Sequence, residues 1–414
     1  MKPVTLAIIG AGSRGNAYAE YAQQNPERAK VVAVAEPREV YREKMARAHS
    51  IKKENIFSDW KSAAAQDRLA DAVIIATPDS IHTEPAIAFA NKKYHILLEK
   101  PMAISEKDCR AIVSSVLANK VFFAVCHVLR YTKYTQHLKK IIESNVIGDV
   151  VSIQHLEPVG YWHHAHSYVR GNWRNQESST FMLMAKSCHD LDWLRYITGS
   201  KCKSISSFGN LKHFKRENKP KDAAARCISC QSEPACPYSA RKIYVGRASK
   251  DDFGWPVDVI TPDLSMEGVN KSLRDGPYGR CVYDCDNNVV DHQVVNMLFE
   301  NGVTATFTMT AFSRQADRKT RIFGTRGELY GNGTLIKHYD FLHDETTTIE
   351  INASEGTVGG GHGGGDYELM RHFIDAVSTN NPSHILTGPQ ETLETHLMVF
   401  GAERARTNNT VINL

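Results

Sequence analysis

The chain has 414 residues, of which 42% are apolar and 23% charged, with a formal net charge of +4. That length exceeds what one hydrophobic core can organise and suits two domains, and the composition is that of a soluble globular enzyme. The charge is small, no Lys/Arg block is interleaved with aromatics, and no apolar run approaches a membrane span, so neither nucleic acid nor a bilayer is an indicated partner.

In chain order, Val4–Ile9 is an apolar, β-branched run that reads as a buried parallel strand. Gly10-Ala11-Gly12-Ser13-Arg14-Gly15 follows, a G-x-G-x-x-G loop leading into helix-compatible residues that include Ala17, Ala19 and Tyr21. Gly10 allows a tight turn, Gly12 lets the backbone approach a pyrophosphate, and Gly15 lets helix and strand pack closely. Ser13 and Arg14 complete the loop, where phosphate oxygens would meet the free N–H groups at the positive end of the helix. A second strand, Val31–Ala35, ends in Glu36. A carboxylate there accepts hydrogen bonds from both ribose hydroxyls and repels a 2′-phosphate, which favours NAD. Arg38, two residues later, is the counter-argument, since an arginine can hold the phosphate of NADP.

Ala72–Ala76 is the next buried strand and ends in Thr77-Pro78-Asp79-Ser80-Ile81-His82, a loop that should sit over the cofactor, with Thr77, Pro78 and His82 as contacts. His95–Leu98 runs into Glu99-Lys100-Pro101, and Val121–Val125 closes the series near Cys126. Strands separated by helical stretches imply βαβ units, hence a Rossmann dinucleotide-binding domain over residues 1–126.

The pattern then changes. Val150–Glu157, Val303–Ala311, Arg321–Phe323 and Thr346–Ile351 read as strands joined by turns, with hairpin turns at Gly324–Gly327 and Gly331–Gly333. Thr304, Thr306, Thr308 and Thr310 alternate with Val303, Ala305, Phe307 and Met309, the period of a half-exposed antiparallel strand. Residues 127–414 should therefore form an α+β domain on a large open, mainly antiparallel sheet. A polar, Pro- and Gly-containing stretch from Lys201 to Tyr283 reads as an insertion, and Glu391–Arg406 as a closing helix.

With the glycine loop, Thr77–His82 and Glu99-Lys100-Pro101 all in order, the chain resembles the Gfo/Idh/MocA family of oxidoreductases along essentially its whole length. Members mostly oxidise or reduce a hydroxyl of a sugar, cyclitol or sugar derivative with a nicotinamide cofactor. A minority, the bacterial NAD-dependent glycosidases, use transient oxidation to cleave a glycosidic bond. A non-catalytic NAD-binding regulator is a third possibility. The resemblance implies that Lys100, at the carboxyl end of a strand where ligands bind in such sheets, handles the substrate hydroxyl together with Glu99 at the cofactor side. It implies His189 as acid/base. The family usually has an Asp four residues before this His; here Ala185 stands there, and Lys186, three residues before His189, is read as a cationic partner that keeps the imidazole neutral. Arg130 and Tyr131 fit the segment lining the cleft floor. Tyr161, Trp162, His163, Trp173, Arg174 and Asp192 are further substrate contacts, the aromatics suiting sugar stacking. His163, His164 and His166 cluster without a carboxylate at a familiar metal-ligand spacing. His362 and Asp366, in the glycine run Gly359–Gly365 and just after it, resemble a substrate-site loop of the glycosidase branch.

The resemblance leaves the cysteines of the insertion unexplained. Cys227-x-x-Cys230 followed by Cys236, with Cys281 or Cys285 as fourth ligand, suggests a closed structural zinc site remote from the chemistry. Free thiols are the alternative, and Cys236-Pro237 also suits an iron–sulfur run. Cys109, Cys126, Cys188 and Cys202 read as core residues. Met1-Lys2-Pro3 runs straight into the first strand, leaving no room for an export signal, so a cytoplasmic protein with reduced cysteines is expected. An open sheet needs covering, and family members usually cover it by forming dimers or tetramers.

Overall fold

The computed structural model describes residues 2–352 and 362–414. Its first sheet is six-stranded and parallel: β1 (Val4–Ile9), β2 (Ala29–Ala35), β3 (Ile56–Phe57), β4 (Ala72–Ile75), β5 (His95–Leu98) and β6 (Phe123–Val125), in the order β3-β2-β1-β4-β5-β6. The strand order reverses at β1, so the crevice between the carboxyl ends of β1 and β4 is where such a sheet binds ligand. The strands are short and buried on both faces, which is why their sequences are continuous apolar runs rather than alternations.

The second sheet has nine strands: β7 (Val150–Pro158), β8 (Cys202–Asn210), β9 (His292–Phe299), β10 (Thr304–Thr310), β11 (Lys319–Gly324), β12 (Gly327–Gly331), β13 (Leu335–Asp340), β14 (Glu345–Glu350) and β15 (Ile412–Asn413). Their order is β14-β13-β12-β11-β7-β10-β9-β8-β15. Every adjacent pair is antiparallel except β7 and β10, which run parallel at the centre. The alternation of β10 holds: Ala305, Phe307 and Met309 are buried while Thr304 and Thr306 face solvent.

The start of the insertion differs from the sequence reading. Cys202–Asn210 is a full strand paired with β9, so the insertion occupies 211–291 and not the span from Lys201. The first sheet, whose last strand ends at Val125, also draws on a helix from far along the chain. The Gly365–Thr379 helix lays Leu369, Met370, Phe373 and Ile374 into the same apolar cluster as Leu6, Ile8, Tyr18 and Tyr21. A sheet needs both faces covered, and this helix supplies part of one. The insertion has its own small core around Ala240, Tyr244, Val257, Val269 and Leu273. Among the described residues no helix is long and apolar enough to cross a membrane.

Candidate active site

The dinucleotide loop is built as its glycines require. Gly10 has φ +94°, and a Cβ there would lie 2.5 Å from the Ala76 carbonyl oxygen; a Cβ on Gly15 would collide with the Gly10 carbonyl. The helix Ser13–Gln24 begins with no side-chain cap and no acidic residue in its first turn, leaving its N–H groups and positive end for an anion. Glu36 is buried at the end of β2 and accepts from Ala11 N at 2.9 Å. Burial pushes its carboxyl up, but hydrogen bonds from the Arg38 side chain and backbone and from Ala11 more than offset this and hold it below its ordinary value. Arg38 grips the carboxylate with two nitrogens, at 2.7 and 3.0 Å. The residues present therefore fit a nicotinamide dinucleotide, with Glu36 placed for the ribose.

Other expected cofactor contacts are engaged with protein groups. The Arg14 side chain bonds Glu99 at 2.6 Å through Nε and also Tyr18 and Asp366 through Nη2. Glu99 is likewise committed, accepting from Arg14, from the Tyr18 hydroxyl at 2.8 Å and from Lys100 N at 2.6 Å. Burial raises its carboxyl, but the charges of Arg14 and Lys100 outweigh that and keep it low. His82 is fully buried, its ring nitrogens facing the Pro101 and Thr77 carbonyls at 2.8 and 2.9 Å, which ties the Thr77-Pro78 loop to the end of β5.

Lys100 leaves the end of β5 after Glu99, and its Nζ donates to the Ala185 carbonyl at 2.7 Å, across the domain boundary. His189 lies in the helix Cys188–Thr198 and is buried, with Nδ1 unpartnered. Burial first, then the charge of Lys100 and the neighbouring His127, His362 and Arg318, push its imidazole well below the usual value, so it is neutral. Lys186 is not the cation responsible. It sits at the break between the helices Met182–Ala185 and Cys188–Thr198 and pairs with Glu157 at 3.5 Å. Burial lowers its ammonium, only partly offset by Glu157.

Four residues absent from the sequence reading of the site complete this centre: Arg318, just before β11, is ion-paired with Glu157 at 2.7 Å and bonds Asp190 at 2.8 Å, and His155 Nε2 lies 3.2 Å from Asp190. The period-two face of β7 carried a signal, because Ile153, His155 and Glu157 all fall on the covered side. Arg318 follows no motif. His362 Nδ1 pairs with Asp366 at 2.9 Å, and its ring centre is 5.7 Å from that of His189. Burial raises the Asp366 carboxyl, but the charges of Arg14 and His362 bring it down to about 2.

Several residues expected as substrate contacts have their polar groups engaged within the protein. Arg130 is fully buried, bonding Asp192 with two nitrogens at 2.7 and 2.8 Å and also the Leu386 carbonyl and Glu391. That occupies Asp192 as well. The Tyr131 hydroxyl receives Leu386 N at 2.9 Å inside the core. Arg174 fastens the insertion through Asp286 at 2.9 Å, and Trp173 Nε1 donates to Asp79 of the first domain at 2.9 Å. His164 and His166 are buried, the former stacked on Phe214 and the latter bonded to Tyr244, whereas Tyr161 is exposed and Trp162 and His163 are partly so.

The zinc expectation is not met. Among the described residues no group of three or more His, Cys, Asp or Glu is arranged to hold a metal ion, and all nine cysteines are unpaired thiols. Cys285 turns its Sγ to the Cys281 carbonyl at 3.2 Å, and Cys227 faces the Arg170 guanidinium at 3.5 Å. The insertion is fastened by arginines: Arg170 bonds the Arg280 and Tyr238 carbonyls, and Arg226 the Leu273 and Gly276 carbonyls. Cys109, Cys126, Cys188 and Cys202 are core residues as expected.

A parallel dinucleotide-binding sheet with a lysine at a strand end, facing a mixed-sheet domain that brings a neutral histidine, defines a nicotinamide-dependent oxidoreductase architecture. The chain belongs to the Gfo/Idh/MocA family: residues 4–127 match its NAD-binding Rossmann-fold model and residues 139–414 its C-terminal alpha/beta domain model. It is 28% identical over 211 residues to 2,7-anhydro-N-acetylneuraminate hydratase of Escherichia coli K12, an alignment covering 51% of this chain and 54% of that protein. It is 27% identical over 216 residues to the NAD-dependent scyllo-inositol 2-dehydrogenase of Bacillus subtilis 168, covering 50% and 58%. The match thus spans little more than half the length of these relatives. The solved structure of levoglucosan dehydrogenase with NADH and levoglucosan superposes with a TM-score of 0.72 at 18% identity, covering 100% of this chain and 99% of that one, which shows the shared fold.

Proposed function

We propose that the protein is an NAD-dependent oxidoreductase acting on a CH–OH group of a sugar, cyclitol or sugar derivative. The observation that carries this is Lys100 Nζ, held at the mouth of the parallel sheet by the Ala185 carbonyl and next to the neutral His189. Bound NAD supplies the hydride acceptor. Lys100 holds the substrate hydroxyl, and His189 takes its proton as the carbonyl forms, a role that needs an uncharged imidazole. Lys186 and Arg318, tied to Glu157 and Asp190, fix the far wall of the site. The test is NADH absorbance with purified protein, NAD and a panel of sugars, cyclitols and glycosides. Turnover that drops by orders of magnitude in Lys100→Met is expected, and it would remove the regulatory alternative. Failure of every candidate would argue against net dehydrogenation.

The His362–Asp366 pair favours a second reading, redox-neutral cleavage of a glycoside. Oxidising a ring hydroxyl acidifies the adjacent C–H. A base removes that proton, the glycosidic oxygen leaves with a proton from an acid, and water addition and re-reduction restore the sugar with no net cofactor consumed. His189 and His362 supply the two acid/base groups this needs. Aryl glycosides assayed in deuterium oxide decide the matter, because this route exchanges the C–H proton and cleavage without deuterium uptake sinks it.

We also read the protein as a cytoplasmic homodimer or homotetramer. Nine unpaired thiols suit a reducing compartment. Val151 and Phe208 are 52% and 58% exposed on the open face of the second sheet, where a second copy would cover them. Light scattering on the purified protein measures this.

A further inference from the structure

Oxidation of a hydroxyl leaves a proton behind, and the base that takes it is badly placed to lose it. His189 is only 4% exposed, with Lys100, His127, His362 and Arg318 as its charged or titratable neighbours. Lys100 and Arg318 carry positive charge, the first donating to the Ala185 carbonyl and the second paired with Glu157 and Asp190. His127 is fully buried with neither ring nitrogen hydrogen-bonded, a dead end for a proton. His362 differs from all three. Its ring centre is 5.7 Å from that of His189, a separation spanned by direct contact or by one water, and its side chain is 30% exposed.

The surroundings of His362 hold its ring in one state. Asp366 is fully buried in the first turn of the helix Gly365–Thr379. One of its oxygens accepts from Arg14 Nη2 of the dinucleotide loop, and the other faces His362 Nδ1 at 2.9 Å. An ionised carboxylate can only accept, so Nδ1 carries the hydrogen and Nε2 presents a lone pair. The permanent charge of Arg14 keeps Asp366 ionised while the imidazole gains and loses a proton. His362 itself has φ +50°, a left-handed conformation that residues with a side chain rarely adopt, so its position is imposed by these contacts.

Resting on the oxidoreductase reading above, we propose that His362, positioned by Asp366, carries the substrate's proton from His189 to solvent. Oxidation of one CH–OH group by bound NAD frees one proton from the hydroxyl oxygen. His189 takes it, His362 receives it at Nε2, and the imidazolium so formed gives it to a solvent or buffer base. No electrons move in this relay, and Asp366 stays a carboxylate throughout. In the direction of reduction the same pair delivers a proton to His189.

The experiment uses full-length protein with NAD and whichever sugar, cyclitol or glycoside of the panel the wild type oxidises. In dilute buffer His362→Ala should lower kcat by about 10²-fold with KM nearly unchanged. Rising imidazole concentration should restore that kcat and leave the wild type unaffected. A kcat that does not fall, or that falls and is not rescued by imidazole, overturns the proposal. If the wild type oxidises no member of the panel, the dehydrogenase reading falls by itself, and nitrogen-15 spectra of the histidine rings decide the pair. Hydrogen on Nδ1 of His362 is expected in the wild type, and on Nε2 in Asp366→Asn, whose amide donates to the ring. Hydrogen on Nε2 in the wild type, or the same tautomer in both proteins, overturns the positioning by Asp366 and the relay with it.

Discussion

Lys100 and His189 are the residues on which the chemistry is staked. Lys100→Met should reduce turnover by about 10²–10⁴-fold while NADH fluorescence titration gives near-unchanged cofactor affinity, because the side chain reaches the second domain rather than the dinucleotide loop. His189 sets the acid limb of the pH profile. Its pKa is depressed by burial and by Lys100, and a base works only above its pKa, so kcat/KM should stay level from neutrality down through pH 6.5 and fall at lower pH. A limb at 6.5 or above would assign the proton to another group. Both residues are picked out in the sequence because each belongs to a motif. Glu157 and Arg318 were not, since an ion-paired charge in a covered position announces itself only when its partner, distant in sequence, is known. Ala185 shows the limit most plainly: its side chain carries no chemistry, but its carbonyl is what Lys100 binds.

At the scale of elements, the helices Cys188–Thr198 and Pro389–Asn408 are joined by a buried charge. Arg130, Asp192, Thr395 and Glu391 form one network at their crossing. Arg130→Ala strands the Asp192 carboxylate in the interior and should cost about 3–5 kcal/mol in urea unfolding, and Arg130→Lys should not restore it because the two-nitrogen grip is lost. The elements themselves were unevenly readable. Strands β1, β4 and β5 are β-branched or leucine-rich runs and were found nearly to the residue. Strand β8, with three serines and a glycine among nine residues, has little strand propensity of its own and was taken for insertion. It forms because β9 offers an eight-residue antiparallel edge and the last long helix covers it. The five cysteines of the insertion misled for the converse reason. Their spacing resembles a metal site, but whether thiols converge depends on a tertiary path that spacing alone does not fix.

Across the whole molecule, burial of imidazole dominates the response to acid. Burial pushes His127 and His166 to about 3 and His164 and His396 to about 4. In the unfolded chain each titrates near 6.5. Above that pH both states are neutral and the four contribute no pH dependence. As pH falls below 6.5 the unfolded chain takes up protons that the folded chain refuses, so stability drops by about 1.4 kcal/mol per histidine per pH unit until the folded values are reached. The melting temperature should therefore fall steeply between pH 6.5 and 4.5, with a slope of more than four protons, because His163 and His189 are depressed by burial as well. A flat profile there would mean these rings are hydrated. Carboxylates such as Asp366, held at about 2, add to the loss only below about 3.9.

The helix Gly365–Thr379 has a consequence for how the protein is made. All six strands of the first sheet have left the ribosome by Val125, but Leu369, Met370, Phe373 and Ile374, which complete its core, have not. The intervening chain takes roughly 10–50 s to synthesise at ordinary rates. For that interval an apolar trough beside Tyr18 and Tyr21 stands open on a sheet otherwise able to form. The nascent first domain is then the stage at which aggregation competes with folding, and a holdase that masks the trough should raise the yield of native protein more than any stabilising change made in the second domain.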